Sequence, residues 1–113
     1  MNEDKKIPNP YGRKGGLKHQ EKVEEIALEI RDKKRNPVKE FFIRLFTNDK
    51  AKFIDVAEFE EDGNLIDFYQ VGKQNKNGEP VKRERDALDE IELGYGVRPK
   101  FYSYNTNTEE GNE

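Results

Sequence analysis

Between Leu17 and about Lys34 the apolar positions Val23, Ile26, Ala27 and Ile30 recur at helical spacing, which predicts a first helix with one buried stripe. Asn36-Pro37 stops it, because the residue before a proline is steered away from helical angles. The period then shortens. Residues 38–47 (VKEFFIRLFT) are rich in β-branched and aromatic side chains and read as a strand, and Asn48-Asp49 turns the chain. In the stretch 53–73, FIDVAEFEEDGNLIDFYQVGK, Phe53, Asp55, Ala57 and Phe59 alternate with Ile54, Val56 and Glu58, a two-faced strand. Asp62-Gly63 is a strong hairpin signal, so the stretch predicts strands 52–60 and 64–71 around a tight turn.

A polar loop follows at 74–79 (QNKNGE), and Pro80 sits where a helix begins. The second helix is predicted over roughly 80–93, with Val81, Ala87, Leu88 and Ile91 on one side and Gly94 and Gly96 at its end. Residues 98–104 (RPKFYSY) supply a last strand. Pro8, Pro10, Gly12, Gly15 and Gly16 make residues 1–16 an irregular arm, and the acidic tail 105–113 reads as disordered. The expected fold is a mixed α/β (α+β) arrangement in the order α-β-β-β-α-β. A mainly antiparallel three-stranded core is flanked by helices, with a last strand suited to parallel pairing.

With Asp62 and Gly63 at the turn centre, Glu60 faces Leu65 and, further back, Asp55 faces Gln70. Gly72 predicts a bulge that swings Lys73 onto the face carrying that pair. The same register sets Glu58 against Asp67. Like charges side by side are unfavourable without a cation, so a shifted register or exposure to water is the expectation there.

Composition narrows the picture. At 113 residues the chain makes one domain, and with 32% apolar against 40% charged residues its core must be concentrated in the aromatic-rich middle. The lack of cysteine excludes a disulfide scaffold and a cysteine-ligated zinc site. No apolar run reaches the roughly 20 residues of a membrane span. A net charge of −3 does not favour a general nucleic-acid binder, yet 5–22 and 73–85 are locally basic.

The quartet of Asp55, Gln70, Lys73 and an acid from the first helix resembles the metal-dependent PD-(D/E)XK, or restriction-endonuclease-like, arrangement. The runs NPYGRKGGLKHQEKVEEIA (9–27), QVGKQNKNGEPVKRERDALDEI (70–91) and RPKFYSYN (98–105) extend the likeness over nearly the whole chain. They resemble the C-terminal nuclease domains of bacterial polymorphic toxins, including those released by type VII-like (LXG-like) systems. That resemblance implies a secreted endonuclease toxin acting in the cytoplasm of a target bacterium, dependent on Mg²⁺ or Mn²⁺ and neutralised by a cognate immunity protein. DNA is the expected substrate and RNA the alternative. It further implies that Asp55, Gln70 and Glu24 or Glu25 hold the metal and that Lys73 is the site lysine. Two departures stand out. Gln70 is neutral where the family has an acid, and Lys73 follows it by three positions instead of two.

These residue types suit the chemistry: phosphodiester hydrolysis needs a hard cation on oxygen ligands and a cationic side chain near the developing charge. Arg83 and Arg85 are candidate phosphate clamps, although the Arg83-Glu84-Arg85 run reads equally as a solvated helical face. Arg13 and Lys14 are candidate backbone contacts. His19, the sole histidine, is a candidate general base or phosphate contact, with a helix-capping role the simpler expectation. Tyr102 and Tyr104 are candidates for base stacking or for packing. Two other readings compete: a non-catalytic nucleic-acid or protein binding module on the same fold, and a metal-independent RNase toxin using His19.

Overall fold

The computed structural model describes residues 16–105. The elements follow the expected order: α1 (Leu17–Asp32), β1 (Asn36–Arg44), β2 (Ala51–Phe59), β3 (Leu65–Gly72), α2 (Lys82–Tyr95) and β4 (Lys100–Ser103). The strands form one sheet in the order β1-β2-β3-β4, antiparallel except for the parallel β3–β4 pair.

Helix α1 ends before the Asn36-Pro37 stop. Lys34 takes a left-handed φ of 66°, its N–H donates to the Arg31 carbonyl at 2.9 Å and that of Arg35 to the Ile30 carbonyl at 3.2 Å. Those bonds satisfy carbonyls at the helix end. Pro37 lies instead in β1, an edge strand, where its missing N–H is tolerated.

Each face of the sheet carries its own core. On one side Ile26 and Ile30 of α1 pack with Val56, Tyr69 and Val71. On the other, Ile91 of α2 joins Ile43, Leu45, Ile54, Ala57 and Phe68. The regular alternation expected of β2 therefore breaks: Ile54 and Ala57 share a face while Val56 takes the opposite one. The break falls at Asp55. Glu40 of β1 marks the same level, with a left-handed φ of 53°, and the β1–β2 register runs from Lys39↔Val56 to Phe41↔Ile54 without a Glu40–Asp55 pair.

The Asp62-Gly63 turn is wider than expected. Glu60 and Asn64 close it, with Glu60 N–H donating to the Asn64 carbonyl and Gly63 at φ 93°. Phe59, not Glu60, consequently faces Leu65, and an irregularity between Glu58 and Phe59 restores the expected register beyond.

Glu58 does face Asp67, but neither the shifted register nor the exposure expected for that pair is found. Glu58 is 1% exposed. Its carboxylate accepts the Tyr69 hydroxyl at 2.6 Å and Arg35 Nη1 at 2.9 Å, with Lys33 Nζ at 3.3 Å. Asp67 pairs with Lys100 at 3.2 Å. Cations from two directions separate the like charges, and those on Glu58 tie the end of α1 to the sheet. Burial pushes the Glu58 carboxyl up, but the Tyr69, Arg35 and Lys33 bonds outweigh it and hold it below the ordinary value. Burial and Glu58 together push the Tyr69 phenol well above its ordinary value.

Glu58→Gln keeps the shape and removes the charge, so it is expected to cost about 1–3 kcal/mol and to lower Tm by roughly 4–18 °C. Because the folded-state pKa of Glu58 is depressed, its contribution is present above the usual glutamate pKa and is lost as pH falls through the folded value. Thermal unfolding against pH should show the wild-type advantage over Glu58→Gln shrinking on acidification.

Candidate active site

Strands β2 and β3 part at Asp55. Their ladder runs Glu58↔Asp67, Ala57↔Phe68, Val56↔Tyr69 and stops there. Beyond that level β2 stays with β1, as in Phe42↔Phe53, and β3 goes on with β4, as in Gln70↔Phe101 and Gly72↔Ser103. Side chains fill the fork. Gln70 Oε1 accepts the Asp55 N–H at 2.6 Å, and Asp55 Oδ2 accepts the Val71 N–H at 2.8 Å. The expected juxtaposition of Asp55 and Gln70 is therefore present, with each side chain bonded to backbone of the other strand.

The fork opens into a cleft of about 390 Å³ lined by Asp55, Gln70, Lys18, His19, Arg83 and Glu84, with Gly16, Val71 and Tyr104 completing the wall. His19 is not a cap: α1 has Gly16 at its N-cap without a side-chain bond. Its Nε2 lies 3.3 Å from Asp55 Oδ2, and its Nδ1 is buried. Oδ2 thus takes both the imidazole and the Val71 N–H, and Oδ1 takes neither.

The expected bulge at Gly72 is absent, since Gly72 pairs regularly with Ser103. Gly72 serves a different need. A Cβ there would lie 2.4 Å from Glu84 Cδ and under 3 Å from both carboxyl oxygens, so the missing side chain makes room for the Glu84 carboxyl. This glutamate is the residue that the sequence reading passed over as part of a solvated face. Burial raises its pKa; Arg83, with Nη2 at 3.7 Å, counters, Asp55 raises it further and His19 lowers it. Glu84 therefore holds its proton to higher pH than an exposed glutamate.

Other expected residues fall elsewhere. Lys73 follows β3 without a bulge to turn it and is not among the cleft-lining residues, whereas Lys18 is. Glu24 accepts a 2.6 Å bond from Lys39, which holds its carboxyl below the usual value. It borders a smaller cavity of about 120 Å³ that shares His19 and Asp55 with the cleft and adds Lys39 and Glu40. Glu25 is exposed and pairs with Lys22. Arg83 lines the cleft, while Arg85 donates to the Pro80 carbonyl at 2.8 Å. Arg13 and Lys14 lie outside the described residues.

Among the described residues no three or more His, Cys, Asp or Glu side chains are grouped to hold a metal ion. Mg²⁺ often uses one or two carboxylates and leaves its other positions to water and substrate phosphate. The hard oxygens of Asp55 and Gln70 in the cleft fit that lighter demand.

If Glu84 is what Gly72 accommodates, the two positions are coupled. Gly72→Ala is expected to cost about 1–3 kcal/mol in an otherwise wild-type chain and clearly less in a Glu84→Ala background. Denaturant unfolding of the four-protein cycle measures the difference. Equal costs in both backgrounds would show that the two groups do not meet.

Comparisons with protein-family models, with curated proteins and with solved structures return no match.

Proposed function

We propose that this domain is a nuclease of the restriction-endonuclease-like type that hydrolyses phosphodiester bonds in the cleft at the β2–β3 fork. The observation that carries the reading is the company Asp55 keeps: an acid and a carboxamide at a strand fork, in a cleft that Lys18 and Arg83 also line. Two cations beside oxygens able to ligate a metal suit a phosphate, which needs its charge balanced and its leaving oxygen stabilised. The resemblance of residues 9–27, 70–91 and 98–105 to polymorphic-toxin nucleases supports the same reading. It extends it to a toxin delivered into a target bacterium, with DNA before RNA as substrate and an immunity protein as partner.

Each side chain has a role in this scheme. Lys18 and Arg83 grip the scissile phosphate as cations, the guanidinium by a fork of N–H donors. His19 and the Val71 N–H fix Asp55 Oδ2, which sets the direction of Oδ1. Asp55 and Gln70 would hold Mg²⁺ or Mn²⁺, which when bound polarises the phosphate and acidifies the attacking water. Glu84 adds a carboxyl whose proton is held to higher pH than an exposed glutamate's, chiefly by burial.

A second reading has its own support in the His19–Asp55 contact: a metal-independent RNase in which Asp55 orients the imidazole. The non-catalytic binding module is the third possibility.

Cleavage of plasmid DNA and total RNA in Mg²⁺ and in EDTA separates them. The nuclease reading expects metal-dependent cleavage that falls by roughly 10²-fold or more in Asp55→Asn. It also expects Lys18→Ala and Arg83→Ala each to weaken substrate binding and to reduce the salt slope by about 1. Full activity in Asp55→Asn would refute it. EDTA-resistant RNA cleavage lost in His19→Ala would select the RNase, and salt-dependent binding without cleavage the binding module.

A further inference from the structure

The cleft wall includes one aromatic ring whose backbone is anchored on both sides. Tyr104 N–H donates to the Gly72 carbonyl at 3.0 Å, just beyond the β3–β4 ladder. The next residue, Asn105, is only 3% exposed and is bound reciprocally to Gln74. Asn105 Oδ1 accepts the Gln74 N–H at 2.9 Å, and its carbonyl accepts Gln74 Nε2 at 2.9 Å. Its Nδ2 donates to the Gln74 carbonyl at 3.3 Å, and Ser103 Oγ bonds the Asn105 carbonyl at 3.1 Å. Asn105, expected as the first residue of a disordered tail, is thus the lock of this corner.

Both nearby tyrosines pack against the α1-side core, and of the two Tyr104 also lines the cleft. Tyr102 lies against Tyr69 with ring centroids 5.8 Å apart, within the α1-side core. Tyr104 is half-buried, meets His19 edge to face at 6.3 Å and 67°, and lines the cleft. The clasp therefore fixes the backbone of a half-buried tyrosine that lines the cleft with Lys18, Arg83 and Asp55, so less backbone freedom is left to lose on binding.

We propose that Tyr104 is the base-stacking wall of the cleft, receiving the nucleobase next to the phosphate held by Lys18 and Arg83. The inference rests on the nuclease reading and adds how the substrate is seated. Stacking uses the π-face that every base presents, so it contributes affinity with little sequence preference. It also requires the base to be unstacked from its neighbours, which favours single-stranded or locally opened substrate.

The test measures binding without cleavage, in an Asp55→Asn background, using a short single-stranded oligonucleotide and copies with one abasic site moved along it. One abasic position is expected to weaken binding on the order of tenfold. Tyr104→Leu should weaken the intact strand by a similar factor and no longer register that position. Asn105→Ala, which releases the clasp and leaves the ring, should lose part of the same discrimination. Tyr104→Trp should retain it and, because the chain has no tryptophan, supplies a single indole. Its fluorescence should be quenched by the intact strand and not by the strand abasic at that position. Undiminished binding and unchanged abasic discrimination in a folded Tyr104→Leu, or an unquenched indole in Tyr104→Trp, would overturn the proposal. A wild-type domain that neither binds nor cleaves nucleic acid would remove the nuclease reading itself, and this inference with it.

Discussion

The exchange between Asp55 and Gln70 is the constraint around which this small sheet is arranged. Where two antiparallel strands separate, backbone donors lose their ladder partners and must find others. Here the Asp55 N–H goes to the Gln70 carboxamide and the Val71 N–H to the Asp55 carboxylate. The two side chains therefore satisfy the backbone and hold the fork open in the same act. A carboxylate in that position is fixed more firmly than one on a loop, and a carboxamide suffices opposite it because the first demand on that side chain is an acceptor for an N–H. The neutrality of Gln70 has a structural reason on these grounds.

The surroundings stabilise the fork from three sides. At the opposite end of β2, the cations drawn to buried Glu58 tie the end of α1 to the sheet, and the start of the same helix brings Lys18 and His19 to Asp55. Beyond β3, the Gln74–Asn105 clasp seats Tyr104. From α2, Glu84 settles over Gly72. The polar groups that look costly for a chain so poor in apolar residues thus fall into two kinds. Glu58 and Asn105 are satisfied by their hydrogen bonds, whereas Glu84 shares an open cleft with Asp55, which makes the Glu84 charge less favourable.

Helix and strand order were legible because both periods are written plainly, at Val23–Ile30 for α1 and at Phe53–Phe59 for β2. The Asp55–Gln70 pairing was legible too, although through two offsets that cancel. The loop at Asp62-Gly63 is one residue wider than the two-residue turn, and the irregularity at Glu58/Phe59 takes the shift back. Glu84 was hidden because Arg83-Glu84-Arg85 has the local pattern of a solvated helix, and helical spacing says nothing about what lies across the cleft. Gly72 was the available signal: a strand glycine marks either a bulge or a close approach, and the second applies here. The bulge expected to turn Lys73 toward Asp55 and Gln70 is missing for the same reason. Glu58 was misjudged because its cations, Lys33 and Arg35, come from the end of α1 and the link that follows it, which no pairwise rule for strands includes.

The central claim is that nucleic acid enters at the fork. Chemical-shift mapping of the ¹⁵N-labelled Asp55→Asn domain with a short oligonucleotide tests it most directly. The account predicts perturbations centred on the backbone amides of Lys18, His19, Gln70, Val71, Gly72, Arg83, Glu84 and Tyr104. Perturbations confined to the exposed Phe42–Phe53 face, or none at saturating oligonucleotide, would contradict it.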